Sequence, residues 1–205
     1  MELTFKQYRN IDLVILLIIL TVAEAVTARA AKYWFPGEIY FISPTVALLC
    51  IIMMRWGVYA VIHAVAGGLV LCIAIGAGPE QYAVYCMGNC LALVSLLWFK
   101  ALGKEKVREK TGFTILYTVS AFCAVETGRG IVSLFFGSSL KGIAGFFAYD
   151  SLSLVFAVVV VLLTRKLDGV FEDQKSYLLR TQSERNKEKL KDGDYGDYGD
   201  DSEQF

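Results

Sequence analysis

Ionisable and amide side chains lie inside segments of this sequence that are otherwise strongly apolar. Glu126 and Arg129 are three residues apart in one such segment, Asn89 lies in the segment before it, and Asp150 lies near the start of the next. Burying these groups in hydrocarbon is costly, so by default they indicate a functional site. A carboxylate beside a guanidinium can bind a polar solute, or the two charges can neutralise each other along the helix. The spacing of Glu126 and Arg129 is compatible with solute binding and with mutual neutralisation.

The cysteines and the single histidine do not suggest a metal site. All five cysteines fall in apolar segments, and Cys86 and Cys90 share a helix face. One histidine, His63, is too few for a bis-histidine haem or a metal triad. We expect no metal and no cofactor, buried thiols, and a packing or interhelical hydrogen-bonding role for His63. A less favoured alternative is an intramembrane enzyme that uses Glu126 as general acid or base. The sequence places no Ser/His or paired-carboxylate arrangement with that residue.

Length and hydropathy predict an all-α membrane protein. The chain has 205 residues, 56% of them hydrophobic, and a mean hydropathy of +0.51. Pro44 predicts a second span that is either tilted or helical only after the proline, and Gly57 marks a tight turn at Arg55-Trp56-Gly57. We predict a compact bundle of about six transmembrane helices over residues 1–166 and a charged tail over 167–205, partly helical and then disordered. The expected spans are 11–34, 39–55, 57–77, 82–101, 112–135 and 147–165.

The distribution of charge predicts the orientation. Lys6, Arg9, Arg55 and five lysines and arginines between residues 100 and 110 fall on one side, against Lys32 and Lys141 on the other. By the positive-inside rule, both termini are cytoplasmic in a multi-pass cell-membrane protein. The tail has an excess of acidic residues, which repels nucleic acid and anionic lipid, so neither is expected as a partner.

Helix geometry brings the polar residues to one level of the membrane. At 1.5 Å per residue, Glu24 and Arg29 lie roughly 20 and 27 Å above the inner end of the first helix, and Glu126 and Arg129 lie at roughly 21 and 26 Å in the fifth. The inner half is nearly apolar, which argues against a continuous channel or proton wire. This one-sided distribution predicts a cup, open to the outside, that holds a small ligand.

With these features, residues 11–166 resemble the substrate-binding S components of energy-coupling factor (ECF) vitamin transporters. The resemblance rests on six short spans with an inner N-terminus, the outer loop FPGEIYFISPTVALL and the small-residue segment WGVYAVIHAVAGGLVLCIAIGAG. It implies capture of a vitamin or related small metabolite without catalysis. It also implies a membrane coupling subunit and two cytoplasmic ATPases as partners, since the sequence has no GxxxxGK[ST] motif.

The resemblance also implies particular residues. Ligand contacts are expected from the loop after the first helix and from helices four to six; with the aromatic and basic residues at the same level, the predicted substrate-binding residues are Arg29, Trp34, Glu38, Asn89, Glu126, Arg129, Tyr149 and Asp150. The small residues Ala23, Thr27 and Ala31 form one face of the first helix and are predicted to contact the coupling subunit. The alternative is a membrane scaffold or accessory subunit whose acidic tail recruits a partner.

Overall fold

The computed structural model describes residues 4–34 and 42–196, and this part of the chain is built from α-helices. A 3₁₀ segment, Cys90–Leu96, joins α4 to α5. In chain order the helices are α1 (Phe5–Trp34), α2 (Thr45–Trp56), α3 (Ala60–Ile75), α4 (Pro79–Asn89), α5 (Leu97–Leu102), α6 (Lys104–Glu109), α7 (Thr111–Leu134), α8 (Leu140–Tyr149), α9 (Ser151–Thr164) and α10 (Gln174–Gly196).

Several of these helices are long and apolar enough to cross a membrane. Within the described residues four stretches qualify by length and composition: Phe5–Tyr33, Thr45–Ile75, Pro79–Leu102 and Thr111–Leu134. The pair α8 and α9, bent by 46°, makes a fifth if it acts as one span. The fold is therefore an all-α bundle compatible with a multi-pass membrane protein, as the sequence predicts.

The stretch Thr45–Ile75 is folded back on itself at Gly57. Gly57 has a φ of +63°, and a Cβ on Gly67 would lie 2.6 Å from Thr45 Oγ1. In one straight helix these two residues would be about 33 Å apart. Helices α2 and α3 therefore form an antiparallel hairpin, which confirms the predicted tight turn. Helix α2 begins directly after Pro44, the second of the two predicted alternatives, because proline cannot occupy a helix interior without loss of a hydrogen bond.

Helices α2 and α7 form the centre of the bundle. Nearly all of α2 is buried, and the Tyr117 hydroxyl of α7 donates a hydrogen bond to the Cys50 carbonyl of α2 at 3.0 Å. Helix α1 is peripheral: it buries the i, i+4 stripe Leu20, Glu24 and Ala28 and exposes apolar side chains on its other faces. This arrangement leaves one buried acid on the inward face of α1, directed into the bundle.

Polar contacts also lie at the Arg55 end of the bundle, which the sequence analysis predicted to be the inner end and to contain little polar besides His63. The Arg55 guanidinium donates to both carboxylate oxygens of Asp12, at 2.9 and 2.7 Å, and the Trp56 indole N–H donates to the same carboxylate. His63 Nε2 lies 3.0 Å from the Leu13 carbonyl oxygen, which confirms its predicted role in an interhelical hydrogen bond. These contacts tie α1 to the α2–α3 hairpin.

The first part of the tail predicted over residues 167–205 lies against the helical bundle. We call residues 168–180 the C-terminal strap, because this segment packs back onto the bundle. Phe171 is 1% exposed and its ring centroid lies 6.5 Å from that of Tyr117, while Gln174 is fully buried. Beyond the strap, the side chains described on α10 are mostly exposed. Helix α10 continues to Gly196, inside the stretch predicted as disordered, and residues 197–205 lie outside the described residues.

Ion pairs hold the strap against the short helix α6. Lys104 pairs with Asp173, and Arg108 with Glu172, which also accepts a bond from Arg180 at 3.2 Å. Burial alone would raise the pKa of Asp173, but the Lys104 ammonium and the Ser176 donors outweigh burial and hold that pKa below its ordinary value of 3.8. The stabilisation from this carboxylate is therefore complete above that pH and is lost only in more acidic solution.

Arg55→Met is expected to release the strap. The Arg55 side chain donates to the Gly169 and Val170 carbonyl oxygens at 2.6 and 3.0 Å, so methionine removes both of these bonds and the ion pair with Asp12. Amide exchange across residues 169–180 should accelerate at least about tenfold, equivalent to ~1.4 kcal/mol. Lys100→Met is the control: it removes an exposed positive charge and should leave amide exchange across residues 169–180 unchanged. Equal protection in both variants would show that other contacts hold the strap.

Candidate functional site

The fold brings four of the predicted ligand residues together: Arg129 on α7 and three partners around it. The Arg129 guanidinium donates from Nε to Asn89 Oδ1 at 2.9 Å and from Nη1 to Glu126 Oε1 at 2.8 Å, and it also pairs with Asp150. The Asn89 amide donates in turn to the Ala64 carbonyl of α3 at 3.1 Å. All four side chains are at most about 4% exposed. The ion pair between Arg129 and Glu126 shows the mutual neutralisation that the sequence left open, and ligand contact stays a prediction.

A second branch of the cluster starts at Glu24 on α1. Glu24 Oε2 accepts hydrogen bonds from the Ser43 and Thr45 hydroxyls at 2.9 and 2.7 Å. The Ser43 backbone N–H donates to Ser153 Oγ at 2.8 Å, and that hydroxyl lies 3.1 Å from Asp150 Oδ1. One hydrogen-bonded network therefore runs from α1, through the start of α2 and of α9, to Arg129. We call this network, with Asn89 and Glu126, the polar cluster.

Two glycines allow the helices that carry this cluster to approach closely. A Cβ on Gly128 would lie 2.3 Å from the Gly88 carbonyl oxygen, and one on Gly88 would lie 2.6 Å from the Arg129 backbone nitrogen. Helices α4 and α7 thus touch through backbone atoms, the use of small residues that is typical of membrane helix pairs. The crossing places Asn89 and Arg129, the next residues along each helix, within hydrogen-bond distance.

The polar cluster contains more acidic than basic side chains. Among the described residues it contains three buried carboxylates, those of Glu24, Glu126 and Asp150, and one guanidinium. No described residue makes a hydrogen bond to Glu24 Oε1, Glu126 Oε2 or Arg129 Nη2, although these atoms are shielded from solvent. Buried polar atoms are nearly always partnered, so each unpartnered one requires an explanation. The cluster can accept donors on two acids and an acceptor on the arginine.

Aromatic rings cover the cluster on its α4 and α8 side. The Arg129 guanidinium lies over the Tyr85 ring, 4.8 Å from its centroid, and the Tyr85 ring meets Phe146 of α8 edge-on at 6.4 Å. Phe147 packs edge-on against Phe122 of α7 at 6.1 Å. The polar cluster is consequently enclosed in this structure, in contrast to the open cup expected from the sequence.

The other predicted ligand residues are not part of the cluster. Arg29 is exposed in a groove between α1 and α3, and Tyr149 is 41% exposed on α8. Glu38 and the side chain of Trp34 lie outside the described residues. The separation follows from helix phase, because Arg29 is five residues after Glu24 and therefore points about 140° away from it around the helix axis.

Sequence reasoning placed Glu24 at the level of the cup but left it out of the predicted ligand residues, and it missed the hydroxyls of Ser43 and Thr45 that donate to it. Glu24 lies four residues after Leu20 and four before Ala28, so the three side chains share one helix face. That spacing could have indicated that Glu24 is buried with them. Ser43 and Thr45 flank Pro44 at the start of a helix, where hydroxyl residues are common caps, so they gave no distinct signal. Their contact with Glu24 depends on how α1 packs beside α2.

The small residues predicted to contact a coupling subunit lie beside the buried stripe of α1. Ala23, Thr27 and Ala31 are half-buried, and the Thr27 hydroxyl donates to the Ala23 carbonyl of its own helix at 3.0 Å. That internal bond leaves a small and largely apolar face. Its proposed partner stays a prediction.

No family model, curated protein or solved structure matches the chain. Within residues 4–34 and 42–196, no group of three or more His, Cys, Asp or Glu side chains is arranged to hold a metal ion. The class that the fold defines is an all-α bundle with the long apolar helices of a multi-pass membrane protein. The resemblance to ECF S components stays a prediction.

Proposed function

We propose that this chain is a membrane-embedded substrate-binding subunit of an ECF-type importer, which captures a vitamin or related small metabolite in the outer half of the membrane. The six crossings in this proposal are α1, α2, α3, α4 with α5, α7, and α8 with α9. Both termini then lie in the cytoplasm, where Lys/Arg-rich α6 and the strap meet. Importer activity requires the coupling subunit and two ATPases that the resemblance implies.

The observation that carries the proposal is the set of unpartnered buried atoms in the polar cluster. Glu24 Oε1 and Glu126 Oε2 offer acceptors and Arg129 Nη2 offers a donor, with an aromatic wall at Tyr85. Small-molecule sites combine a few convergent polar groups with apolar and aromatic walls in this way. A solute that carries both an N–H donor group and a carboxylate or phosphate matches these groups best.

Helix α8 is the element that would admit the solute. None of its residues is buried, and it is joined to α9 through a bend at Asp150, the residue that pairs with Arg129. Elements with few buried apolar contacts open at the lowest free-energy cost. Displacement of α8 would break the Asp150–Arg129 pair and leave the guanidinium for the solute. In the proposal, α8 is therefore a lid that is displaced to admit the solute and closes again over the bound solute.

Glu126→Gln is expected to abolish solute capture without loss of folding. The amide keeps the size of the side chain but removes the charge and one acceptor, which is expected to weaken binding at least about tenfold. The measurement is mass spectrometry of small molecules released on denaturing the purified full chain, followed by binding assays with the solute so identified. Thermal unfolding of the same samples establishes that the variant is folded.

Glu80→Gln is the matched control. Glu80 is exposed in the first turn of α4, so the same substitution there should leave the released solute unchanged. If neither the natural chain nor the control releases a solute, or if Glu126→Gln retains it fully, the polar cluster is a structural network and the transport proposal falls.

A scaffold function is the second candidate, favoured by α10. Beyond the strap, the side chains described on this helix are mostly exposed and carry opposite charges at helical spacing. Deleting residues 181–205 separates the two functions, because this truncation keeps the strap and the polar cluster. A scaffold loses its partner in pull-down, whereas a solute-binding subunit retains its solute.

A further inference from the structure

A groove on the outer half of the bundle is not explained by solute capture. It lies between α1 and α3 and has a volume of about 570 Å³. It is lined by Thr21, Ala25, Val26, Arg29, Val70, Ile73 and Ala74. Arg29 is the single charged residue among these, and the polar cluster lies on a different face of α1.

The groove has a polarity gradient along its length. Arg29 lies near the outer end, level with Ala74 close to the C-terminal end of α3, and Thr21 lies about 12 Å further in. The Thr21 hydroxyl donates to the Leu17 carbonyl of its own helix at 2.8 Å, so it does not face the groove as a free donor. The inner part of the groove is consequently apolar, and the outer end is cationic.

The cationic end has no acidic counterpart among the described residues. No described acid forms an ion pair with Arg29, and Lys32, three residues further on, is exposed on the same side of α1. A guanidinium binds phosphate oxygens through two parallel hydrogen bonds. The outer end therefore offers the Arg29 guanidinium, with Lys32 nearby on α1, at the level where lipid phosphates lie in the proposed topology.

We propose that this groove binds one anionic phospholipid of the outer leaflet, with its phosphate on Arg29 and an acyl chain along Val26, Val70 and Ile73. The inference rests on the membrane topology of the proposed function and is independent of the solute. The acidic tail, which repels anionic lipid, lies on the opposite side of the membrane and does not act at this groove. Charge complementarity at the mouth selects an anionic headgroup over a zwitterionic one.

Native mass spectrometry of the full chain in non-ionic detergent tests this site. The probes are phosphatidylglycerol and phosphatidylcholine of equal chain length, added separately. We expect the natural chain to retain one phosphatidylglycerol in preference to phosphatidylcholine. Arg29→Gln should weaken phosphatidylglycerol retention about tenfold, the loss expected for a charge-assisted hydrogen bond. Ala25→Trp, which fills the groove, should reduce retention of both lipids.

Lys141→Gln is the control, since it removes one exposed positive charge outside the groove, at the start of α8. It should leave lipid retention unchanged. The proposal is overturned if Arg29→Gln and Lys141→Gln behave alike, if the two lipids are retained equally, or if Ala25→Trp instead removes a dimer peak, which would assign the groove to a second copy of the chain. Failure of the topology would appear separately, as absence of the chain from the membrane fraction, and failure of solute capture as absence of a released solute.

Discussion

Arg129→Met is expected to be among the most destabilising single substitutions in the chain. The guanidinium is 1% exposed and is the one positive charge that the described residues place among the carboxylates of Glu24, Glu126 and Asp150. Removing one partner of a buried ion pair typically costs ~3–5 kcal/mol, because the other charge is left buried without compensation. The methionine also leaves Asn89 Oδ1 without its donor. Thermal unfolding in detergent, with the yield of monodisperse protein, measures the loss.

A combined variant separates charge imbalance from packing. Arg129→Met together with Glu126→Gln and Asp150→Asn removes the charges around the new methionine, so it should recover part of the stability that the single substitution loses. Arg185→Met, on the exposed part of α10, is the control and should unfold as the natural chain does. If the triple variant is less stable than Arg129→Met alone, hydrogen bonding by the carboxylates outweighs their repulsion and the charge argument is wrong.

The sequence predicted the features of this fold that depend on local chemistry. Pro44 and Gly57 set the start and end of α2 because each has a backbone restriction or freedom that its neighbours lack. The common level of Glu126 and Arg129 followed from helix rise alone, and the structure brings both together with Asn89 of the preceding segment.

The features that sequence reasoning missed depend on contacts between distant parts of the chain. Phe171 is an aromatic residue within a run of charges, so the local sequence does not mark it as buried. Its burial depends on contacts with distant residues: its ring packs against Tyr117, and the Arg55 side chain bonds to the backbone beside it. The Ser43–Ser153 bond joins residues 110 apart, and hydroxyl residues are too common in any sequence to mark such a pair. The enclosure of the polar cluster depends on where α8 lies after its bend, which no local pattern specified.

Gly128→Ala is expected to disrupt the α4–α7 crossing and the polar cluster with it. The new methyl group would lie 2.3 Å from the Gly88 carbonyl oxygen and 2.8 Å from Leu91 Cβ, and a backbone atom cannot move aside as the end of a side chain can. Overpacking of this kind typically costs ~1–3 kcal/mol. Separation of the two helices would also stretch the bond from Arg129 to Asn89, so stability and solute capture should fall together.

Gly112→Ala is the matched control because it makes the same substitution in the same helix. A Cβ at Gly112 meets nothing within 4 Å, so this change should stabilise α7 by about 0.5–1 kcal/mol through the lower conformational entropy of the unfolded chain. The two substitutions are thus expected to shift the unfolding temperature in opposite directions. A shift of the same sign and size in both would mean that α4 and α7 do not approach through Gly88 and Gly128, and the contact that positions Asn89 beside Arg129 would have to be reassigned.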